Sequence, residues 1–307
     1  MSVMRSLLLV GSQNQWLRER APKYRFVRGA VARFMPGETV EDAIRAAREL
    51  ENQGIGTMFT QLGENVKDDA EAAGVEQHYH KVLDLVNREK LGTEVSIKPT
   101  QLGLDLSAAE CRERIERLTE HAGDKILWVD MEYSHYVDPT LDIVAKIRAK
   151  HRNVGVCVQA YLYRTADDVS QLIRSGTHVR LVKGAYKEPP EVAFPKKKDV
   201  DENFFSLAKM LIGPDAKASG LRAHLATHDK ALIARIEDHA RQQSIGRRDY
   251  SFAMLFGIQR GEQVRLAKDG YDSKVLIAYG SFWFPWFMRR LAERPANVWF
   301  LAKNFFS

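Results

Sequence analysis

The sequence predicts an α/β protein in which parallel strands close into a (β/α)8 barrel, preceded by a helical amino-terminal extension. Three observations carry that prediction. Eight short apolar runs alternate with longer helical stretches over about 250 residues, the usual length of such a barrel. The connections are short, which implies parallel strands and right-handed crossovers. The residues directly after the apolar runs are mostly polar or charged, and the carboxyl ends of barrel strands are where chemistry sits.

The elements follow in order. From Arg5 to about Phe34 the pattern is amphipathic and helical, with Leu7, Leu8, Trp16 and Leu17 as apolar anchors. Pro36-Gly37-Glu38-Thr39 reads as a turn, with Thr39 as N-cap of a helix over 40–52. Val40, Ala43, Ile44, Ala47 and Leu50 recur at helical spacing and face a core. Strands are predicted at 56–61, 94–98, 126–131, 154–160, 179–183, 222–226, 250–255 and 274–278. Helices intervene, for example over 107–121 with Ile115 and Leu118, and over 230–241 with Leu232, Ile233 and Ile236. The expected organisation is an extension, 1–52, packed on a barrel, 53–307, in a single domain. The rival is an open doubly wound sheet, which calls for Gly-x-Gly-x-x-Gly after an early strand. Gly54-Ile55-Gly56 precedes its strand and lacks the third glycine, so that fold is rejected.

Composition narrows the class. The 307 residues are 45% hydrophobic and 28% charged, ordinary for a soluble globular chain. The net charge of +6 is spread out except at Lys196-Lys197-Lys198; it suits an anionic ligand or membrane surface without demonstrating either. Zinc-finger spacing, aromatic-basic RNA motifs and long basic runs are lacking, so no nucleic-acid partner is expected. The apolar run within the first ten residues is too short for a signal sequence or a membrane span. Cys111 and Cys157 form no disulfide framework, which fits a reducing, cytoplasmic setting. Nine histidines show no His-Glu-x-x-His pattern, and no metal is expected.

The strand ends supply the candidate site: Gln61, Lys98, Asp130 with Met131 and Glu132, Gln159, Arg180 with Lys183, Thr227 with His228 and Asp229, Leu255 with Gly257, and Tyr279 with Gly280. One polar residue after a strand is usually a loop start; a ring of them on one face points to a ligand site. Lys183-Gly184, closing the apolar run from Val179, puts a cation and a bare backbone where a phosphate could approach, or simply begins a solvated loop. Phe284-Pro285-Trp286-Phe287-Met288 leads into Arg289-Arg290, either a fork for a carboxylate or a basic helix end. Lys98 and Lys183 also leave open a Schiff-base aldolase or another barrel enzyme.

Taken together, these residues resemble the proline dehydrogenase family. The matching segments are Ser96-Ile97-Lys98-Pro99-Thr100-Gln101-Leu102-Gly103, Trp128-Val129-Asp130-Met131-Glu132, Val158-Gln159-Ala160-Tyr161-Leu162, the run 179–186, Ala226-Thr227-His228-Asp229, Met254-Leu255-Phe256-Gly257 and Arg289-Arg290-Leu291-Ala292-Glu293. They run in order from about 55 to 297, and the length is like the short monofunctional bacterial form. The resemblance implies a distorted barrel, non-covalent FAD at the strand carboxyl ends, oxidation of L-proline to 1-pyrroline-5-carboxylate, and electron transfer to a membrane quinone. It implies that Arg289 and Arg290 clamp the substrate carboxylate, that Lys98 adds a cationic contact, and that Asp130 holds this polar network. Arg180 would stabilise negative charge beside the flavin. Met131, Gln159, Val182, Lys183, Gly184, Ala185, Thr227, His228 and Glu293 would be flavin contacts, with Leu255 and Tyr279 near the substrate.

One departure matters. The family usually carries a tyrosine three residues before the Tyr-Gly pair of the eighth strand; here that residue is Leu276, and Ala278 stands where proline is common. Loss of a phenol is either drift or a change of substrate towards 4-hydroxyproline or another substituted imino acid. A non-catalytic flavin-binding barrel is the rival of a different class. The aromatic, basic tail 298–306 either docks on its own domain or makes a peripheral membrane contact.

Overall fold

A computed structural model describes residues 29, 31–63, 66–284 and 286–288. Within them, eight parallel strands close in sequence order, the last pairing back onto the first. They are β1 Gly56–Gln61, β2 Glu94–Ile97, β3 Leu127–Val129, β4 Val154–Gln159, β5 His178–Val182, β6 Ala223–Ala226, β7 Ser251–Leu255 and β8 Asp272–Tyr279. Every predicted strand end lies within two residues of the observed one. The helices are α1 Val40–Glu51, α2 Asp69–Arg88, α3 Ala108–His121, α4 Val137–Arg148, α5 Thr165–Ser175, α6 Lys197–Leu211, α7 Pro214–Ser219, α8 Lys230–Gln242 and α9 Arg260–Lys268.

Local chemistry sets these boundaries. Thr39 caps α1 in a capping box: its hydroxyl accepts from the Asp42 N–H, and Asp42 answers the Thr39 N–H at 3.2 Å. Caps of this kind stabilise by ~1 kcal/mol. The side chains of Asp68, Ser107 and Asp229 cap α2, α3 and α8 by accepting from the N–H groups of Glu71, Glu110 and Leu232. The predicted first helix of the extension lies almost wholly outside the described residues. Of that extension, α1 packs against β1 and β8, where the barrel has its seam.

The segment after β8 takes a different place. Trp283, Phe284, Trp286 and Phe287 pack with Val31, Met35, Leu62 and Ala278. The Trp283 indole N–H donates to Glu38 at 2.9 Å. Thus a helix from before β1 covers the seam, while the chain after β8 packs with the stretch that precedes α1. This is the distortion from a regular (β/α)8 barrel. Among the described residues, no helix is long and apolar enough to cross a membrane. Both cysteines are free and buried.

Side chains alternate across each strand. Outward residues such as Phe59, Ile97, Val129, Leu181 and Ile277 join the core beneath the helices. The inward set holds a small apolar group, Met58, Ile126, Trp128 and Ala253, with Leu276 and Ala226 against it. Barrel interiors are usually layered with branched apolar residues; this one also encloses Glu94, Ser96, Arg180 and His224, all buried.

Candidate active site

Lys98, Ser96, Asp130 and Arg180 converge at the carboxyl ends of β2, β3 and β5. Register brings Ser96 opposite Trp128, and period-2 alternation points Ser96, Lys98, Trp128, Asp130 and Arg180 to the same side of the wall. The Ser96 hydroxyl donates to Asp130 Oδ1 at 2.9 Å, and Arg180 Nη2 lies 2.9 Å from the Ser96 Oγ. Arg180 also pairs directly with Asp130. Lys98 Nζ is 3.4 Å from Asp130 Oδ2 and 3.4 Å from the Thr60 hydroxyl. Arg180 is only 3% exposed and sits 5.6 Å from the centroid of the Trp128 ring.

Burial alone would raise the Asp130 carboxyl, but Arg180, then Lys98 and the Ser96 hydroxyl, hold it below the usual carboxylate range. It is therefore an ionised anchor for two cations. Cys157, beside Arg180, is pushed up by burial and stays a thiol. Glu132 also goes up, burial outweighing its bonds to Thr100: it accepts from the Thr100 N–H at 3.1 Å and hydroxyl at 2.8 Å, fixing the 3-10 turn Pro99–Leu102.

Further round the mouth, the Gln159 amide donates to the Glu132 carbonyl at 3.0 Å and approaches the Met131 carbonyl at 3.4 Å. Its Oε1 is buried and has no partner within the described residues. A polar atom left in that state costs ~1–3 kcal/mol unless a ligand donor meets it. Gly184 has φ +112, and a Cβ there would lie 2.4 Å from the Tyr161 ring, so only glycine keeps this turn flat against the ring. Val182 faces inward and is half-buried; Ala185 follows in the same turn. Leu255 and Leu276 are direct cross-strand partners at the mouth. The Leu255 N–H donates to His228 Nε2 at 2.9 Å, which ties the ends of β6 and β7 together. Thr227 is buried, and its hydroxyl accepts from the Asp229 N–H at 3.2 Å.

Two expected contacts are placed elsewhere. Lys183 follows an inward residue and so turns outward, where its Nζ meets Asp201 at 2.5 Å and Asp229 at 3.0 Å. Asp229 is held at about 2: burial opposes the shift, but Lys183, the Leu232 N–H and Lys197 overcome it. Tyr279 likewise points out of the barrel: it is 1% exposed, packs on Phe59 and hydrogen-bonds His78 at 2.8 Å. Strand parity explains both side-chain placements, since residues one apart occupy opposite faces. Arg289, Arg290 and Glu293 lie outside the described residues. Sequence reasoning assigns Ser96 and Thr60 no role; counting back by two from Lys98 reaches Ser96, whereas Thr60 joins the cluster through the β1–β2 register, which no sequence pattern shows.

The chain matches the family model described as proline dehydrogenase over residues 43–303, a span that includes every strand and this charged cluster. It is 37% identical over 305 residues to proline dehydrogenase 1 of Bacillus subtilis (strain 168), covering 98% of this chain and 99% of that one. It is 34% identical to the proline dehydrogenase of Deinococcus radiodurans, covering 89% of this chain and 88% of that one. Of solved structures, proline utilization A (PutA) from Bdellovibrio bacteriovorus superposes with a TM-score of 0.81 at 21% identity. That match covers 94% of this chain but 36% of the other, so it speaks to the barrel fold alone. With matches over nearly its whole length at these identities, the chain belongs to the proline dehydrogenase family.

Proposed function

We propose that the protein is an FAD-dependent proline dehydrogenase that oxidises L-proline to 1-pyrroline-5-carboxylate in proline catabolism and passes the electrons to a quinone. The observation that carries this reading is the charge balance at the mouth. Lys98 and Arg180 share one carboxylate, Asp130, which leaves surplus positive charge where an imino acid would bring its own carboxylate. Arg289 and Arg290 complete the clamp in this reading. The open Oε1 of Gln159 and the bare turn at Gly184 suit the edge of a flavin ring and a phosphate. A bound flavin supplies the hydride acceptor, which this chain's side chains do not.

The rest falls to positioning. An ionised carboxylate held low is a poor proton acceptor at neutral pH, so Asp130 orients Lys98 and Arg180 and takes no part as a base. Fixing the substrate carboxylate orients the ring, and charge placement around the mouth favours the transition state. The reading includes a single folded unit, with 1–52 packed on the barrel 53–307, in the cytoplasm. The tail 298–306 would touch the inner membrane face; equal liposome flotation with and without it removes that part.

A second reading has its own support. Leu276, beside Leu255, presents apolar surface where the family usually has a phenol, and so leaves space for a ring substituent. Trans-4-hydroxy-L-proline is then the better substrate. An anaerobic visible spectrum, taken before and after each imino acid, decides. Bleaching of a yellow protein by proline is the expected result. Bleaching by hydroxyproline alone shifts the assignment, and bleaching by neither leaves a flavin-binding barrel without turnover. A colourless protein that FAD does not reconstitute ends both readings.

A further inference from the structure

On the outside of the barrel, α2 and α3 meet at a pair of histidines that the site at the mouth does not use. His80 stands on α2, one helical turn from Glu76 and one from Asp84, and His121 is the last residue of α3. Their Nδ1 atoms are 2.5 Å apart. The ring centroids are 4.8 Å apart, close to the largest separation that such a contact permits, so the two nitrogens face head on.

The far nitrogen of each ring faces a carboxylate. His121 Nε2 is 2.8 Å from Asp84 Oδ1, and His80 Nε2 is 3.6 Å from Glu76 Oε1. An ionised carboxylate only accepts, so it favours the proton on Nε2 and leaves Nδ1 as a bare lone pair. Two lone pairs aimed at each other repel unless a cation lies between them. Glu76 is anchored by Arg117 at 2.7 Å and 3.1 Å, which keeps it in its outer position. Both imidazoles are about a third exposed, at 30% and 31%, which leaves water access to the pair.

We propose that His80 and His121 form a site for a divalent transition-metal ion of the zinc type, held by the two Nδ1 atoms and completed by water. Imidazoles whose second nitrogen donates to a carboxylate are the usual arrangement around such ions, because the carboxylate fixes the ring and raises its basicity. Tetrahedral zinc at ~2.0–2.1 Å from each nitrogen needs them ~3.3 Å apart with their lone pairs converging on the ion, so the third-exposed rings must open by under an ångström and each turn by roughly 35° from the head-on arrangement. A proton held between the two nitrogens is the alternative that the test must separate from metal. Among the described residues, no group of three or more His, Cys, Asp or Glu is placed to hold a metal. The site therefore rests on two imidazoles, and its occupant cross-links α2 and α3.

The test is a zinc titration of the tag-free, cofactor-loaded full chain, followed by calorimetry and by the histidine ¹⁵N resonances. One equivalent should bind, shift the Nδ1 signals of both residues and raise the Tm. Affinity should fall at least ~10-fold in H80Q and in H121Q. D84N keeps both ligands and removes only the carboxylate behind His121, so a ~10-fold loss there separates metal binding from simple packing. Equal zinc affinity in all four proteins overturns the proposal. So do Nδ1 signals that follow pH but ignore zinc, the mark of a shared proton only.

Discussion

The barrel encloses two charged clusters, one at each end, with Trp128 between them. At the carboxyl end two cations, Lys98 and Arg180, share the single carboxylate of Asp130. At the amino end one cation, Lys274, lies 3.5 Å from Glu94 and 3.7 Å from Asp272. There the surplus negative charge is met by neutral donors. The Trp128 indole N–H donates to Glu94 at 2.6 Å, and the Ser251 hydroxyl to Asp272 at 2.6 Å. His224 stays uncharged, its imidazole pushed well down by burial first and by Lys274 second. Both clusters join acids and bases from the barrel interior, but the balance is opposite. The end with spare positive charge suits an anion, and its open amide oxygen a hydrogen-bond donor. At the other the surplus acid is met by the protein's own donors, although His224 Nδ1 is left without a partner among the described residues.

Breaking the upper cluster should give the largest effect. Asp130→Ala leaves Arg180 buried without its counter-charge, and removing one partner of such a pair costs ~3–5 kcal/mol. Urea unfolding should show that loss, together with loss of proline turnover. A cost under about 1 kcal/mol would mean that the two cations do not depend on Asp130.

The amino end should answer to pH instead. His178 accepts from the Arg222 N–H at 3.0 Å through Nδ1, and burial, helped by Arg148 and Arg222, lowers it from 6.5 to about 4. Its folded value is below its unfolded one, so the unfolded chain takes up the proton first as the pH falls. The contribution is complete above 6.5 and is lost progressively down to about 4. At 1.36 kcal/mol per unit this is ~3 kcal/mol. His178→Asn should flatten that part of the stability curve, and an unchanged acid slope would locate the titration elsewhere.

A pair of substitutions sharpens the contrast. Glu94→Gln keeps an acceptor for Trp128 but weakens the hold on Lys274, so it should cost ~1–2 kcal/mol of stability with kcat and KM for proline nearly unchanged. Lys98→Met removes the spare cation; it should raise KM for proline at least ~10-fold while stability moves by under about 1 kcal/mol. Swapped outcomes would mean that charge balance does not mark the binding end.

The barrel was legible because its strands are apolar runs punctuated by turns, and parity then tells which residues share an interior. The same parity was available for Lys183 and Tyr279. Motif resemblance placed both at the site, because it records which positions recur without saying which atom of each one faces the ligand. The amino-end cluster left no such trace. Glu94 lies 178 and 180 residues before Asp272 and Lys274, and meets them only because β8 closes onto β1 next to β2. Placement of α1 over the seam was equally hidden, since an amphipathic pattern shows that a face is buried but not against what.

The smallest expected effect concerns the apolar side of the mouth. Leu276 is half-buried and faces Leu255 across β7 and β8, so a tyrosine there extends towards the site without displacing a packed core. Leu276→Tyr should change stability by no more than about 0.5 kcal/mol. Its effect belongs in discrimination. A phenol filling the space that a ring substituent would occupy should lower kcat/KM for trans-4-hydroxy-L-proline ~10-fold relative to that for L-proline, within the range that added bulk in an apolar pocket gives. If the ratio of the two kcat/KM values stays the same, Leu276 does not line the part of the site that reads the ring, and the charged side of the mouth alone selects the substrate.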